Sequence, residues 1–437
     1  MLDFLPMFGS AGFTIGAFVI ALSVIVAIHE YGHYIVGRWS GIHAEVFSLG
    51  FGPVLVSRVD RHGTRWQLAA IPLGGYVKFL GDANAASVGG TAGGRNTMLG
   101  APLWARAATV VAGPVFNFIL AFVVFAGLSL YFGKAADPLT LRSVPDFPPS
   151  VVQELQVGDE ILSVEGVAAQ SIAEFAAALD TIPVEPVLSY TVLREGVETV
   201  VAGPYPNTTI VQGVTPNSAA DAAGLLQGDV ITAINDEPVY AFAQMIAIVS
   251  DSDGALLTLD VWREGAMIEI TVQPRRSDLP LAGGGFETRW LMGVTGGIFF
   301  DPETVRPGLG EAAIGAVKEV WYRLFTSIDA VRHIIAGNIS TCNISSPVGI
   351  AQASGATAAQ GLDEFIAFIG SLSVAVGMLN LFPIPVLDGG HLVFHAYEAV
   401  TGRRPTDGAM RVLITVGLAV ILSLTLFGVL NDFLLCR

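Results

Sequence analysis

The sequence predicts an α-helical membrane protein with four transmembrane helices, a membrane-associated β-hairpin loop and two small α+β domains. Three observations carry that reading. Four apolar stretches, Phe13 to Val36, Ala107 to Phe132, Phe365 to Phe382 and Val412 to Leu430, reach or approach the roughly 20 residues a helix needs to span the hydrocarbon core. Mean hydropathy is +0.61, with 52% hydrophobic and 14% charged residues, too apolar for an ordinary soluble chain of 437 residues. Between the second and third stretches a pattern repeats. Gly158-Asp-Glu-Ile-Leu-Ser-Val-Glu-Gly166 recurs 70 positions later as Gly228-Asp-Val-Ile-Thr-Ala-Ile-Asn-Asp236, and Leu193-Arg-Glu-Gly196 recurs as Trp262-Arg-Glu-Gly265.

The first span, within 1–37, has no basic residue ahead of it and no small-residue cleavage site behind it, so it reads as a retained helix rather than a signal peptide. Its apolar run ends in His29-Glu-Tyr-Gly-His33. A charge and two imidazoles inside a span are costly and therefore point to function. Positions i and i+4 share a helix face, so His29 and His33 can reach one Zn²⁺ while Glu30 acts on water beside it. The plainer alternative is a pair of helix histidines with a neighbouring acid.

Residues 38–106 read as a loop of β-hairpins, with alternation in Glu45–Ser48, Pro53–Val56, Thr64–Ala69 and Tyr76–Phe79 broken at Arg61-His-Gly63. From Asp82 to Gly100 the composition turns to Ala, Gly, Ser and Asn and predicts disorder. From Gly37 to Arg106 there are seven Lys and Arg against three acids, and Arg403, Arg404 and Arg411 precede the fourth span. Positive charge favours the cytoplasmic side, which places both termini and the stretch from Gly133 to Glu364 outside. That stretch holds 29 of the 38 acidic residues, which argues against nucleic acid as a partner.

The second span is 107–132. The repeats set two domains at 140–205 and 206–276, each reading as strand, helix, then strands. The second carries Pro216-Asn-Ser-Ala-Ala-Asp-Ala-Ala-Gly-Leu225 before its Gly-Asp, whereas the first has Val151-Val-Gln-Glu-Leu-Gln156 there. Apolar residues at helical spacing in 307–345, including Ile314, Val317, Trp321, Leu324 and Ile328, predict an amphipathic helical region on the outer membrane surface. The third span, 364–390, ends in Asn380-Leu-Phe-Pro-Ile-Pro-Val-Leu-Asp-Gly-Gly390, whose prolines and glycines break the helix and turn Asp388 toward the bundle. Two histidines leave a catalytic zinc one protein ligand short, and Asp388 is the candidate, although a capped exit turn reads equally well. The fourth span is 410–432. Two cysteines, Cys342 and Cys436, give no disulfide framework and no Cys-type zinc site, and they read as unrelated thiols. His391 and His395 form an i, i+4 pair near Asp388 and read as neighbours of the site rather than a second one.

With these residues in view, the sequence resembles the site-2 protease family of intramembrane zinc metalloproteases, most closely the RseP type of Gram-negative bacteria. The likeness rests on His29–His33, the Asn380–Gly389 motif, the tandem repeats and four spans. Phe47-Ser-Leu-Gly-Phe-Gly-Pro53, Ile71-Pro-Leu-Gly-Gly-Tyr-Val-Lys78 and Gly113-Pro-Val-Phe-Asn117 add to it. The resemblance implies Zn²⁺ on His29, His33 and Asp388, with Glu30 as general base and then acid. It further implies that Asn380, Asn117, Gly50, Phe51 and Gly52 meet the substrate, and that the 38–106 loop offers it an edge strand. The repeats resemble PDZ domains, which would either bind peptide C-termini or act as a size filter. The implied protein sits in the bacterial inner membrane with its PDZ domains in the periplasm, and it cleaves single-pass membrane proteins. These would be a trimmed anti-sigma factor or leftover signal peptides. A catalytically idle PDZ-bearing scaffold is the alternative, disfavoured because a scaffold needs no general base; a prenyl-protein protease fits the repeats poorly.

Overall fold

The computed structural model describes residues 5–82, 93–216, 218–281, 285–341 and 345–432. It divides into two units, one of Met1–Leu128, Gly310–Arg332 and Ile344–Arg437, the other of Ser129–Leu309 and His333–Asn343. Among the described residues four helical stretches are long and apolar enough to cross a membrane, Ala11–Trp39, Leu103–Phe132, Leu362–Asn380 and Gly408–Leu430, where the apolar runs predict them.

Helix α1 (Leu5–Trp39) runs unbroken through His29-Glu-Tyr-Gly-His33. It leads into strands β1 (Ala44–Val59) and β2 (Arg65–Phe79), paired antiparallel as one long hairpin. Both strands bend at glycines, Gly50 and Gly52 (φ 86° and 82°) and Gly74 (φ 136°), a conformation that costs other residues more. The bends place the start of β1 between two stretches of β2: Val46 lies opposite both Lys78 and Arg65, and Phe47 opposite both Val77 and Trp66. Phe47, Val77 and Phe79 share a core with Tyr34 of α1.

The disorder expected from Asp82 to Gly100 is overturned for 93–100; residues 83–92 lie outside the described residues. Met98 is buried in the hairpin core, its N–H donating to the Leu80 carbonyl at 3.1 Å, while the His43 N–H donates to that of Asn96 at 2.9 Å. One apolar anchor fixes a stretch whose average composition is polar. Helix α2 (Leu103–Phe132) follows with Pro114 in its interior.

In the second unit, helices α3 (Ile172–Ala178), α4 (Ala219–Ala223) and α5 (Phe242–Asp251) accompany two four-stranded sheets of matching order. One runs Val167–Ala168, Glu160–Val164, Leu188–Arg194, Val197–Gly203, and the other Glu237–Pro238, Val230–Ile234, Leu257–Arg263, Ala266–Val272. The repeated Arg-Glu-Gly makes the same turn in both, with positive φ at Glu195 and Gly196 and at Glu264 and Gly265, the geometry of a two-residue hairpin loop. One core forms around Phe175 and Tyr190 and takes in Val230 and Ala241 of the second repeat, and another forms around Met245 and Leu259. Helix α4, capped by the Ser218 hydroxyl and ended by left-handed Gly224, has no counterpart at Val151–Gln156.

The chain continues in α6 (Leu309–Ile335), a single helix that buries Ala312 and Ala316 and leaves Ile314, Val317, Trp321 and Phe325 exposed. Helix α7 (Pro347–Gln360) was not expected. Its small residues press on α1, so closely that a Cβ on Gly355 would stand 2.5 Å from Thr14 Oγ1. Helix α8 (Leu362–Asn380) stops short of the prolines, so the expected single element 364–390 is corrected. Pro383 and Pro385 cannot donate to an i−4 carbonyl and push their predecessors out of helical geometry. Asp388 does not end the span; it opens a new helix, α9 (Asp388–Thr401). Gly389 and Gly390 do not break that helix but let it fold onto the preceding turn, where Cβ atoms would meet the Phe382 and Ile384 carbonyls at 2.2 and 2.4 Å. Helix α10 (Asp407–Leu430) is the last described helix. Cys342 and Cys436 lie outside the described residues.

Candidate metal centre

Two histidines one turn apart on α1 and the first residue of α9 converge. Nε2 of His29 and Nε2 of His33 are 3.2 Å apart, and Asp388 Oδ2 stands 3.1 and 3.4 Å from them. Tetrahedral ligands at zinc's usual bond lengths near 2.0 Å would be separated by about 3.3 Å. Asp388 Oδ2 is buried and makes no hydrogen bond despite those contacts, as a carboxylate oxygen does when its lone pair is aimed at a cation. The three side chains are 11–18% exposed. Donor set, spacing and orphaned oxygen all fit zinc.

Each imidazole is held from behind. His33 Nδ1–H donates to the Thr109 carbonyl at 2.8 Å, which leaves its Nε2 lone pair free. His29 Nδ1 meets the Asn117 amide at 3.1 Å. Asn117 is wholly buried and its Oδ1 has no partner as placed. Exchanging the amide atoms lets Oδ1 accept Nδ1–H of His29 and gives both histidines the same tautomer. Helix α2 can come this close only because Gly113 lacks a side chain: a Cβ there would lie 2.4 Å from His33 Nε2 and 2.8 Å from His29 Cε1.

Glu30 faces a cavity of about 320 Å³ together with His29, His33, Asp388, Asn380, Gly75, Tyr76 and Val77. Strand β2 lies against it at Gly75, where a Cβ would stand 3.1 Å from Glu30 Cγ. Gly75, Thr109 and Gly113 escaped the sequence reading as site residues; the paired glycines of Ile71–Lys78 were the available signal. Asn380 lines the cavity while its Nδ2 donates to the Val376 carbonyl at 3.1 Å. Gly50 and Gly52 lie at the bend of β1 and are not among the residues lining the cavity, and Phe51 stacks on Tyr76, 6.0 Å between ring centroids.

Toward the end of α9 the cavity is lined by His391, His395, Arg106, Glu398 and Arg404. Arg106 gives Glu398 two hydrogen bonds of 2.8 Å, and Arg404 adds a third at 3.2 Å. These bonds, Arg106 foremost, hold the Glu398 carboxyl down to about 2. Burial, then the Arg106 charge, lowers His395 to about 4, so it is neutral at pH 7.

The sequence profile of peptidase family M50 matches residues 17–424. A Rhizobium meliloti protein named as a putative zinc metalloprotease is 35% identical over 96% of both chains. A Salmonella typhi protein named regulator of sigma E protease is 30% identical over 96% of this chain and 98% of its own. Its Salmonella typhimurium counterpart, named regulator of sigma-E protease RseP, gives the same figures.

Proposed function

The chain belongs to peptidase family M50, and from that premise we propose an intramembrane zinc endopeptidase that cuts single-pass membrane proteins within or beside their spans. The observation that carries the reading is the convergence of His29 Nε2, His33 Nε2 and Asp388 Oδ2 beside Glu30, with the two histidines and Glu30 on a helix apolar and long enough to cross a bilayer. His29, His33 and Asp388 hold the zinc, which supplies Lewis-acid polarisation of the scissile carbonyl and makes water acidic enough to ionise near neutral pH. Glu30 takes the proton of the attacking water and returns it to the leaving amine, which balances the hydrolysis. Asn117 and the Thr109 carbonyl fix the imidazole tautomers. Asn380, on the cavity wall, is assigned to the substrate backbone. Gly50, Phe51 and Gly52 act on it less directly, by shaping the bend that sets Tyr76.

A transmembrane helix hides its peptide bonds, so the substrate must unwind before it is cut. Strand β2 beside Glu30 is placed to take up the freed backbone groups by strand addition. The two repeats, whose matching sheets support the PDZ resemblance, then act outside the membrane as a size filter or by capturing C-termini. In line with the sigma-E relatives, the natural substrate is an anti-sigma factor already trimmed outside, with leftover signal peptides as a second class, in a bacterial inner membrane with the repeats in the periplasm. An idle scaffold would have no use for an orphaned carboxylate oxygen between two imidazoles.

The test is cleavage of a model single-span substrate by the purified protein in detergent, beside Glu30→Gln and chelator-treated protein. Loss in both, with Glu30→Gln still holding zinc, supports the reading. A zinc-loaded parent that cuts no trimmed single-span substrate overturns it in favour of the scaffold.

A further inference from the structure

We propose that the Arg106–Glu398 ion pair, braced by Arg404, positions the third zinc ligand by locking the far end of α9 to the start of α2. The proposal rests on the zinc-protease reading and extends it to residues at the far end of the cavity that are not among the three zinc ligands.

Helix α9 is held mainly at its start. Of its 14 residues only Gly389 and Gly390 are buried, both against the turn at its start. Leu392, one turn on, packs partly buried against the hairpin core, but no apolar residue beyond it is buried, so the far end of the helix that carries Asp388 can swing unless it is attached. Glu398 lies ten residues on, about 15 Å along the axis, and there the second attachment is made. The Glu398 carboxylate is 17% exposed and the Arg106 side chain 6%, and their two parallel bonds of 2.8 Å fix direction as well as distance.

Helix α2 is the reference for the other two ligands. Arg106 precedes by one turn Thr109, whose carbonyl sets His33, and the same helix carries Asn117 against His29. Arg106 is itself anchored, its Nε–H donating to the Ala101 carbonyl at 3.2 Å, and Arg404 reaches the Leu99 carbonyl at 2.5 Å. The pair thus ties the helix carrying Asp388 to the helix that orients both histidines. A carboxylate free to swing by a few tenths of an ångström holds zinc less well.

The experiment uses the full chain in detergent, loaded with zinc, and follows zinc release to a chromogenic chelator beside steady-state cleavage. Glu398→Gln keeps shape and removes the charge; release about tenfold faster than the parent, in the range seen when outer partners of metal ligands are lost, supports the proposal. The loss in cleavage should fall on kcat with KM little changed, and Arg106→Lys, which keeps the charge but not the fork, should recover part of it. Folded Glu398→Gln protein with parental zinc release and kcat overturns the proposal. If Glu398→Gln does not fold, Arg106→Lys decides, since it keeps the buried charge but not the paired bonds: release about threefold faster supports the lock and parental release overturns it. A parent chain that retains no zinc at all would instead overturn the protease reading itself.

Discussion

Buried carboxylates occur in both units and are treated in opposite ways. Asp159 and Asp229, each side chain 1% exposed, take two nitrogens at 2.7 Å from Arg194 and Arg263 respectively. The backbone N–H of Gln156 or Leu226 adds a bond of 2.8 Å. Every charge is matched within the chain, and the arrangement recurs in both repeats. Asp388 has no guanidinium, and an oxygen with no hydrogen bond faces two imidazole nitrogens. A matched buried charge is framework, whereas an unmatched one costs several kcal/mol unless a cation completes it.

The contrast breaks most sharply at Glu30, the proposed general base, and at the unmatched carboxylate. Glu30→Gln should lower cleavage by about 10²- to 10⁴-fold while zinc stays bound, and Asp388→Asn should lose both, read by metal analysis of the same preparations. Next in size, Asp229→Ala leaves Arg263 without its partner and should destabilise the second sheet by about 3 kcal/mol, seen as a lower urea midpoint for that unit. Its zinc content should match the parent's. Zinc lost from Asp229→Ala, or kept by Asp388→Asn, would erase the distinction between framework and site. A smaller effect belongs to Asn117→Ala, expected to weaken zinc binding by about tenfold by freeing His29 to choose the wrong tautomer; unchanged affinity would make Asn117 a packing residue.

What the sequence made legible follows the same division. The spans could be read because lipid demands length and apolarity from each segment by itself. The matching sheets could be read because turn chemistry, Glu-Gly at positive φ, is local and was repeated. His29, Glu30 and His33 could be read from helical spacing, and Asp388 from its Pro/Gly surroundings. Helix α7 was not legible: its Ala, Gly, Ser and Thr residues carry no apolar signal and form a helix by packing on α1. Nor was the helical start at Asp388, since glycines that suggest a break serve here for close approach. Asn117 was named, as a substrate contact rather than as the partner of His29; the other supports of the histidines were hidden, for a backbone carbonyl at Thr109 and an absent side chain at Gly113 leave no trace in residue chemistry.

Asp60 offers an intermediate case, matched like Asp229 but only half-buried at the hairpin tip. Burial works to raise its pKa, yet bonds from Trp66, the His62 and Thr64 N–H groups and Tyr34 prevail and hold it at about 2, below the ordinary 3.8. A carboxyl lowered on folding stabilises the folded state fully above its unfolded pKa, and that contribution is lost as pH falls through the folded value. The parent should therefore outlast Asp60→Asn in thermal unfolding by a steady margin from pH 7 to about 5. The margin should narrow below about 4 and vanish near 2. It should be worth about 1 kcal/mol or less, because solvent screens a group so placed. Zinc release in acid affects both proteins alike, so the difference between them isolates Asp60. A margin that persisted to pH 2 would mean that its four donors fix the hairpin tip by shape alone, and that matching a carboxylate's charge matters only where water is excluded.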